Sequence, residues 1–279
     1  FDIASLDIGI SSGQPHTIDG ETALWPAKPM SRFAQAWAAH LDGVAAGSRS
    51  ATAAVIGGGV GGVELALAMA HRLRSLSPTT RVTLIEASDQ ILPLAPPSLR
   101  HALARKLKEL QIDIRTGSKV DHIKGHSAHL ANGQTIEASF FASVAGAVPA
   151  QWLEPTGLSL KDGYVRVDQT LRSISHDTLF AVGDCAHMDF SPRPKAGVFA
   201  VRQAPILFAN LQAALSGGRM RPFHPQGDYL KLISLGANAA VAEKWGISLN
   251  LPGLWAWKDQ IDQRFLDLAA DDVDAGRGL

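Results

Sequence analysis

The sequence is short of cysteine, of net charge and of long apolar runs, and each shortage removes a class of function. One cysteine, Cys185, stands among 279 residues. That excludes an internal disulfide and a two-cysteine redox relay within the chain, and it fits a reducing compartment. Lys+Arg and Asp+Glu both number 26, so the formal net charge is zero, whereas a nucleic-acid binder shows a basic surplus or stripe. The longest weakly polar stretch, 53–70, is interrupted by Glu64 and five glycines, which suits a phosphate turn better than a bilayer span. The first residues carry no basic segment followed by an apolar one, and no internal repeat or low-complexity segment stands out. What is present is a chain 46% hydrophobic and 19% charged. It is apolar enough to bury a core and long enough for one large domain or two ordinary ones.

The apolar pattern predicts a strand within 1–12, ending in Asp7, Ile8 and Gly9. Pro15, Gly20, Pro26 and Pro29 then mark an extended connection. A short amphipathic helix follows in "SRFAQAWAAHLDG", with Ser31 as N-cap and Gly43 as stop. From Thr52 the chain alternates: strand 53–57, helix 60–76, strand 81–86, helix 98–110, strand 112–115, a hairpin turning at Asn132-Gly133, and a buried strand in "SFFASVAG". Such alternation is the pattern of a parallel sheet. Strands in "YVRVD" and "TLFAVGDCA", a helix near 197–215, and strands joined by a glycine turn over 228–249 come next. The closing helix, about 255–270, carries an apolar stripe of Leu254, Trp257, Ile261, Phe265 and Leu268, expected to pack on protein.

The motif with the most chemistry is Gly57-x-Gly59-x-x-Gly62, in "VIGGGVGGVELALAMA". Its first glycine permits a tight turn, the second lets the backbone approach a pyrophosphate, and the third allows helix to pack closely on strand. The helix N-terminus then offers its N–H groups and positive dipole end to phosphate. Glu86, in "VTLIEAS", ends the next strand. A carboxylate there accepts from adenosine ribose hydroxyls and repels a 2′-phosphate, and no arginine follows in "ASDQIL", so NAD is expected over NADP. Glu64 is the candidate catalytic residue. It either complements the dipole in a first helical turn or stands beside the nicotinamide, and the residues alone leave both open. Gly183-Asp184 ends an apolar strand, where the aspartate can accept from a sugar hydroxyl. His122, His126 and His129 are expected as solvated loop residues rather than metal ligands, Cys185 as a buried small residue, and Trp245, Trp255 and Trp257 as a packing cluster.

Taken with the glycine turn, "TLFAVGDCA" resembles the second flavin-binding motif of the pyridine nucleotide–disulfide oxidoreductase superfamily. That resemblance implies that Asp184, on the Gly183 turn, binds the ribityl chain of FAD. "SLDIGIS" is similar to the strand preceding the family's NAD domain, and "FASVAGAVPAQWLEPTGLSLKDGYVRVDQTL" to the return into its FAD domain, which adds Gly9 and Gly146 to the implied cofactor-binding residues. "YLKLISLGANAAVAEKWGISLNLPGLWAWKDQIDQRF" resembles the C-terminal region of type II NADH dehydrogenases. "WPAKPMSRF" and "GVFAVRQAP" resemble the flavoprotein region fused in front of selenophosphate synthase (selenide, water dikinase), and Gln203 is thereby implied near flavin and quinone. The implied fold is α/β: a Rossmann-like NAD-binding domain (51–140) inserted in an incomplete FAD-binding domain (1–50 and 141–222), with a C-terminal region at 223–279.

The implied activity is that of an NADH dehydrogenase-like flavoprotein, with hydride passing from NADH to FAD and on to a quinone or another acceptor. The alternative is a non-catalytic NADH-binding or regulatory module tied to selenophosphate synthesis. A selenophosphate synthase domain and a second copy of the chain are further implied partners, in the cytoplasm or at the inner-membrane periphery. Two departures stand out. The family's paired redox cysteines are absent, and its opening strand–GxGxxG–helix for the FAD pyrophosphate has no counterpart before Phe1. The sequence is therefore expected to be a fragment that holds NADH but not FAD.

Overall fold

The computed structural model describes residues 1–13, 17–19 and 22–274, and the side chains of these except 17–19, 265, 266 and 268–274. Pro15, Gly20, Phe265 and Leu268, named above, lie outside that description. The chain forms two compact units. One comprises Phe1–Gly13 and Gly146–Gly227, the other Gln14–Ala145 and Asp228–Leu279. Residues 14–50 and 228–279 thus fall with the sheet that carries the glycine turn. Five α-helices are formed among the described residues: α1 (Met30–Ala45), α2 (Val60–Arg74), α3 (Pro97–Glu109), α4 (Gly197–Ser216) and α5 (Leu254–Asp274).

The larger unit is built on a five-stranded parallel sheet in the order Leu24–Pro26, Phe141–Ser143, Thr52–Ile56, Arg81–Ile85, Asp113–Arg115. The central strand, "TAAVI", is buried along nearly its whole length, as expected where helices cover both faces of a parallel sheet. The buried positions of α2 include Val63, Ala66, Leu67, Ala70 and Leu73. Those of α3 are Leu99, Leu103 and Leu107, spaced four apart so that one stripe meets the core. Proline at the first turn of α3 fits a position whose N–H has no helical partner.

The connection read as extended contributes two strands. Thr17–Asp19 pairs in parallel with Val120–Lys124, and Leu24–Pro26 forms the sheet edge, where a proline is tolerated because no neighbour needs its N–H. Two expectations for α1 fail. Ser31 is not the N-cap: Pro29 is, without a side-chain cap. Gly43 does not stop the helix, which runs to Ala45 and gives way at Gly47 with φ +72°; the absent side chain of Gly43 instead makes room for Arg49. The Asn132-Gly133 hairpin forms as expected between Ser127–Leu130 and Thr135–Glu137, with the Gln134 N–H donating to Asn132 Oδ1 at 3.1 Å.

The C-terminal segment folds as a three-stranded antiparallel sheet, Lys231–Gly236, Ala239–Lys244 and Ile247–Leu249. Ile233, Leu235 and Val241 join the same core as α2. The expected glycine turn joins the second and third strands, where Gly246 holds φ +78°, while Ala237 and Asn238, both in the left-handed region, follow Gly236 (φ +74°) to turn the first pair.

The smaller unit holds three small sheets. Ala4–Leu6 lies parallel to Leu179–Ala181, Ser11–Ser12 antiparallel to Ala147–Val148, and Tyr164–Val167 lies between Leu160–Lys161 and Ala186–Met188. Its core gathers Leu153, Val165, Val167, Leu171 and Phe223. Helix α4 is long and apolar enough to cross a bilayer by length and composition. Its buried Asn210 donates to the carbonyls of Thr170 and Arg221 at 2.8 and 2.9 Å and accepts from the Arg221 N–H at 2.7 Å.

Candidate functional site

The strand Thr52–Ile56 runs into the glycine turn, and α2 leaves it. Gly57 holds φ +108° and donates its N–H to Ile85 O at 2.8 Å, so the turn is tied to the neighbouring strand. At Gly62 a Cβ would lie 1.8 Å from the carbonyl oxygen of Gly57, which only glycine avoids. Nothing lies within 4 Å of a Cβ built on Gly59 or Gly61, and no side chain caps α2. The space in front of the helix N-terminus is therefore open to a phosphate group, where the dipole favours negative charge.

Glu86 follows directly on the strand Arg81–Ile85. Its Oε2 accepts from the Gly58 N–H at 2.6 Å and its Oε1 from the Ser88 N–H at 2.7 Å. The main chain is fixed as well, Glu86 N–H to Arg115 O at 2.7 Å and Ser118 N–H to Glu86 O at 2.9 Å. A carboxylate has about four lone-pair sites, so two backbone bonds orient Glu86 and leave capacity for a ribose diol. A Cβ on Gly58 would lie 2.8 Å from Glu86 Cβ. Gly58 occupies the variable position of the Gly57-x-Gly59 motif, and the unbroken run of three glycines is the sequence signal of this constraint.

Glu64 lies in the second turn of α2, and no acid occupies the first, so the first-turn dipole reading does not hold. Its Oε1 accepts from the Ser234 N–H at 2.6 Å. Burial raises its pKa above the usual carboxylate value, opposed by the Ser234 bond and Lys258 and reinforced by Asp262. Two turns on, His71 meets Gly236, where a Cβ would lie 2.1 Å from the ring. Glu64 and His71 thus present one face of α2 to the Lys231–Gly236 strand.

In the smaller unit Gly183 has φ +67°, and a Cβ there would lie 2.5 Å from Asp7 Oδ1. Burial and the charge of Asp184 both raise the Asp7 pKa. Gln203, buried on α4, accepts from the Gly183 N–H at 2.7 Å. Lys195 Nζ stands 3.8 Å over the Tyr164 ring and donates to Ala186 O at 2.6 Å. Burial lowers its pKa, while Asp184 and Cys185 act to raise it. Gly9 and Gly146 adopt φ +62° and +66°, with open space where a Cβ would stand. The expected site residues thus fall in two sets, Gly57, Gly59, Gly62, Glu64 and Glu86 in the larger unit and Gly9, Gly146, Gly183 and Asp184 in the smaller. Lys195 and Tyr164 belong to no motif that the sequence marks.

Other expectations change. His122 and His129 are not loop residues: they are half-buried cross-strand neighbours whose rings stack at 4.3 Å. Among the described residues no group of three His, Cys, Asp or Glu could hold a metal. Trp245 is no part of a packing cluster; it sits at a left-handed turn position, 75% exposed, beneath Lys244. Cys185, in contrast, is buried as expected, its thiol pushed up chiefly by desolvation.

A strand, a GxGxxG turn, a helix and an acid at the end of the next strand define a Rossmann-type nucleotide-binding site. The particular family follows from comparison: the chain belongs to the pyridine nucleotide-disulphide oxidoreductase family, whose profile matches residues 9–204. It is 26% identical over 212 residues to a type II NADH:quinone oxidoreductase of Haemophilus influenzae, covering 69% of this chain and 47% of that protein. It is 31% identical over 144 residues to a rubredoxin-NAD(+) reductase of Ectopseudomonas oleovorans, covering 49% and 35%. The chain thus spans a third to a half of the length of these relatives. The structure of NDH2 from Plasmodium falciparum in complex with NADH superposes with a TM-score of 0.76 at 14% identity, over 95% of this chain and 74% of that one.

Proposed function

We propose that the chain binds NADH across the Gly57–Gly62 turn, with Glu86 on the adenosine ribose, as part of an NADH dehydrogenase-like flavoprotein. The single observation that carries this reading is Glu86, held by two backbone N–H groups at the mouth of an open glycine turn. The relative named as an NADH:quinone oxidoreductase supports a quinone as the electron acceptor, which would bring the protein to the edge of a membrane.

In the smaller unit, Gly9, Gly146, Gly183 and Asp184 are the residues proposed to face FAD. Those residues fit such a group in one respect: Asp184 follows Gly183, whose φ of +67° favours glycine, and it acts electrostatically on Asp7, Tyr164 and Lys195. A bound flavin supplies the ring that accepts the hydride. The chain's own work is to bind and orient the nucleotides and exclude water. For Glu64, the Ser234 hydrogen bond supports positioning of the C-terminal sheet on α2 alongside the proposed role at the nicotinamide. A tie to selenophosphate synthase rests on the resemblance of "WPAKPMSRF" and "GVFAVRQAP" alone.

Calorimetric titration with NADH and NADPH tests the reading. Glu86 should make NADPH the weaker ligand, and Glu86→Ala should weaken NADH by about 1–3 kcal/mol, roughly five- to 150-fold. NADPH binding as tight as NADH, or tighter, would contradict it.

A further inference from the structure

The larger unit has a cavity at the opposite end of its parallel strands from the glycine turn. Thr52 and Arg81, which begin their strands, line it, whereas Gly57 and Glu86 follow the other ends. Its volume is about 760 Å³, within the range of small-molecule sites.

Two arginines stand in its wall. Arg49 lays its aliphatic stem across Gly43, where a Cβ would lie 2.7 Å from its Cδ. Arg81 opens its strand, with its main-chain N–H fixed on Ala51 O at 3.0 Å. Neither guanidinium has an ion-pair or hydrogen-bond partner among the described residues. Three hydroxyl residues of the lining, Ser50, Thr52 and Ser139, are linked to one another. Ser50 Oγ and Thr52 Oγ1 are 3.0 Å apart, Thr52 Oγ1 and Ser139 Oγ also 3.0 Å, and Ser139 Oγ donates to Ser50 O at 2.6 Å. Among the described residues the single acid in the lining is Glu137. Trp25, 39% exposed, gives the cavity an aromatic wall.

A buried histidine lies behind the lining. His40 packs 5.2 Å from Phe140, a lining residue, and neither ring nitrogen has a hydrogen-bond partner. Burial first, then Arg49 and His126 in the cavity wall, lower its pKa to about 4.

We propose that this cavity is a binding site for a phosphorylated small molecule with a flat ring, its phosphate held by Arg49 and Arg81 and its ring laid against Trp25. Guanidinium groups are suited to phosphate because their donors match its oxygens in pairs, and the Trp25 indole offers a rigid apolar face. The site is separate from the glycine turn and does not depend on the NADH reading.

Amide-resolved NMR of the full chain, titrated in parallel with AMP, adenosine and inorganic phosphate, tests this. The amides of Ser50, Thr52, Arg81 and Ser139 should shift saturably with AMP. Adenosine and inorganic phosphate should each act there about tenfold more weakly. Shifts at Gly57–Gly62 report the other site separately, so failure of one reading leaves the other standing. The Arg49→Gln/Arg81→Gln double variant should lose the cavity shifts while keeping native dispersion and its response at the glycine turn; Arg81→Gln alone serves if the pair disturbs folding. Shifts confined to the glycine turn, equal response to adenosine, phosphate binding as tight as AMP, or cavity shifts surviving in the variants would overturn the proposal.

Discussion

Replacing Gly62 by alanine puts the geometry of the turn to a quantitative test. The new Cβ would stand 1.8 Å from the Gly57 carbonyl oxygen, 2.9 Å from its carbon and 3.0 Å from Val144 Cγ2, against an ordinary contact of 3.4–4 Å. The closest atom belongs to the backbone, so no rotamer change relieves the overlap. Helix α2 must retreat by roughly 1.5 Å, loosening the packing of Val63, Ala66 and Leu67, all fully buried. Overpacking of a core costs about 1–3 kcal/mol, and an overlap this deep against main chain belongs at the upper end. For a unit of this size about 3 kcal/mol lowers the melting temperature by roughly 6–12 °C. The same retreat carries the helix N-terminus away from the phosphate position, and a misplacement on this scale should weaken NADH at least about tenfold. Gly61→Ala is the matched control: nothing lies within 4 Å of its Cβ, and alanine in a helix gains up to about 1 kcal/mol over glycine. Thermal melts and NADH calorimetry on the two variants decide the matter. A Gly62→Ala protein that melts and binds like the parent would refute the reasoning.

Two further outcomes are expected. His40 has its folded-state pKa lowered from 6.5 to about 4, so the folded state binds fewer protons between those values. Stability should rise by about 3 kcal/mol across that window and be lost as pH falls through it; urea unfolding should show the slope in the parent and lose it in His40→Leu, and identical slopes would contradict the assignment. Glu64→Ala leaves the Ser234 N–H without its acceptor and should destabilise by about 1–3 kcal/mol, while Glu64→Gln, which keeps an oxygen there, should cost under about 1 kcal/mol; equal stability of Ala variant and parent would show that the bond holds nothing.

The features legible in the sequence are those decided over a few residues. Gly57, Gly59 and Gly62 could be read because the strand–turn–helix geometry is local, and Glu86 because its place at a strand end follows from the pattern. What escaped depends on distant partners. Gly58 is constrained by a side chain 28 positions on, and Glu64 finds its donor 170 positions away. The stacking of His122 on His129 follows from strand register, which composition does not reveal. The start of α1 misled because a good capping residue, Ser31, lies just past a proline that had already set the turn. The strands at Thr17–Asp19 and Leu24–Pro26 were hidden by turn-forming neighbours, since pairing partners rather than propensity make them strands.

The most direct test of the central claim is a crystal structure of this chain with NADH. The account predicts pyrophosphate oxygens within about 3 Å of the backbone N–H groups that open α2, and the Glu86 carboxylate at a similar distance from the adenosine ribose hydroxyls. Nucleotide bound elsewhere, or at the turn with its ribose turned away from Glu86, would contradict it.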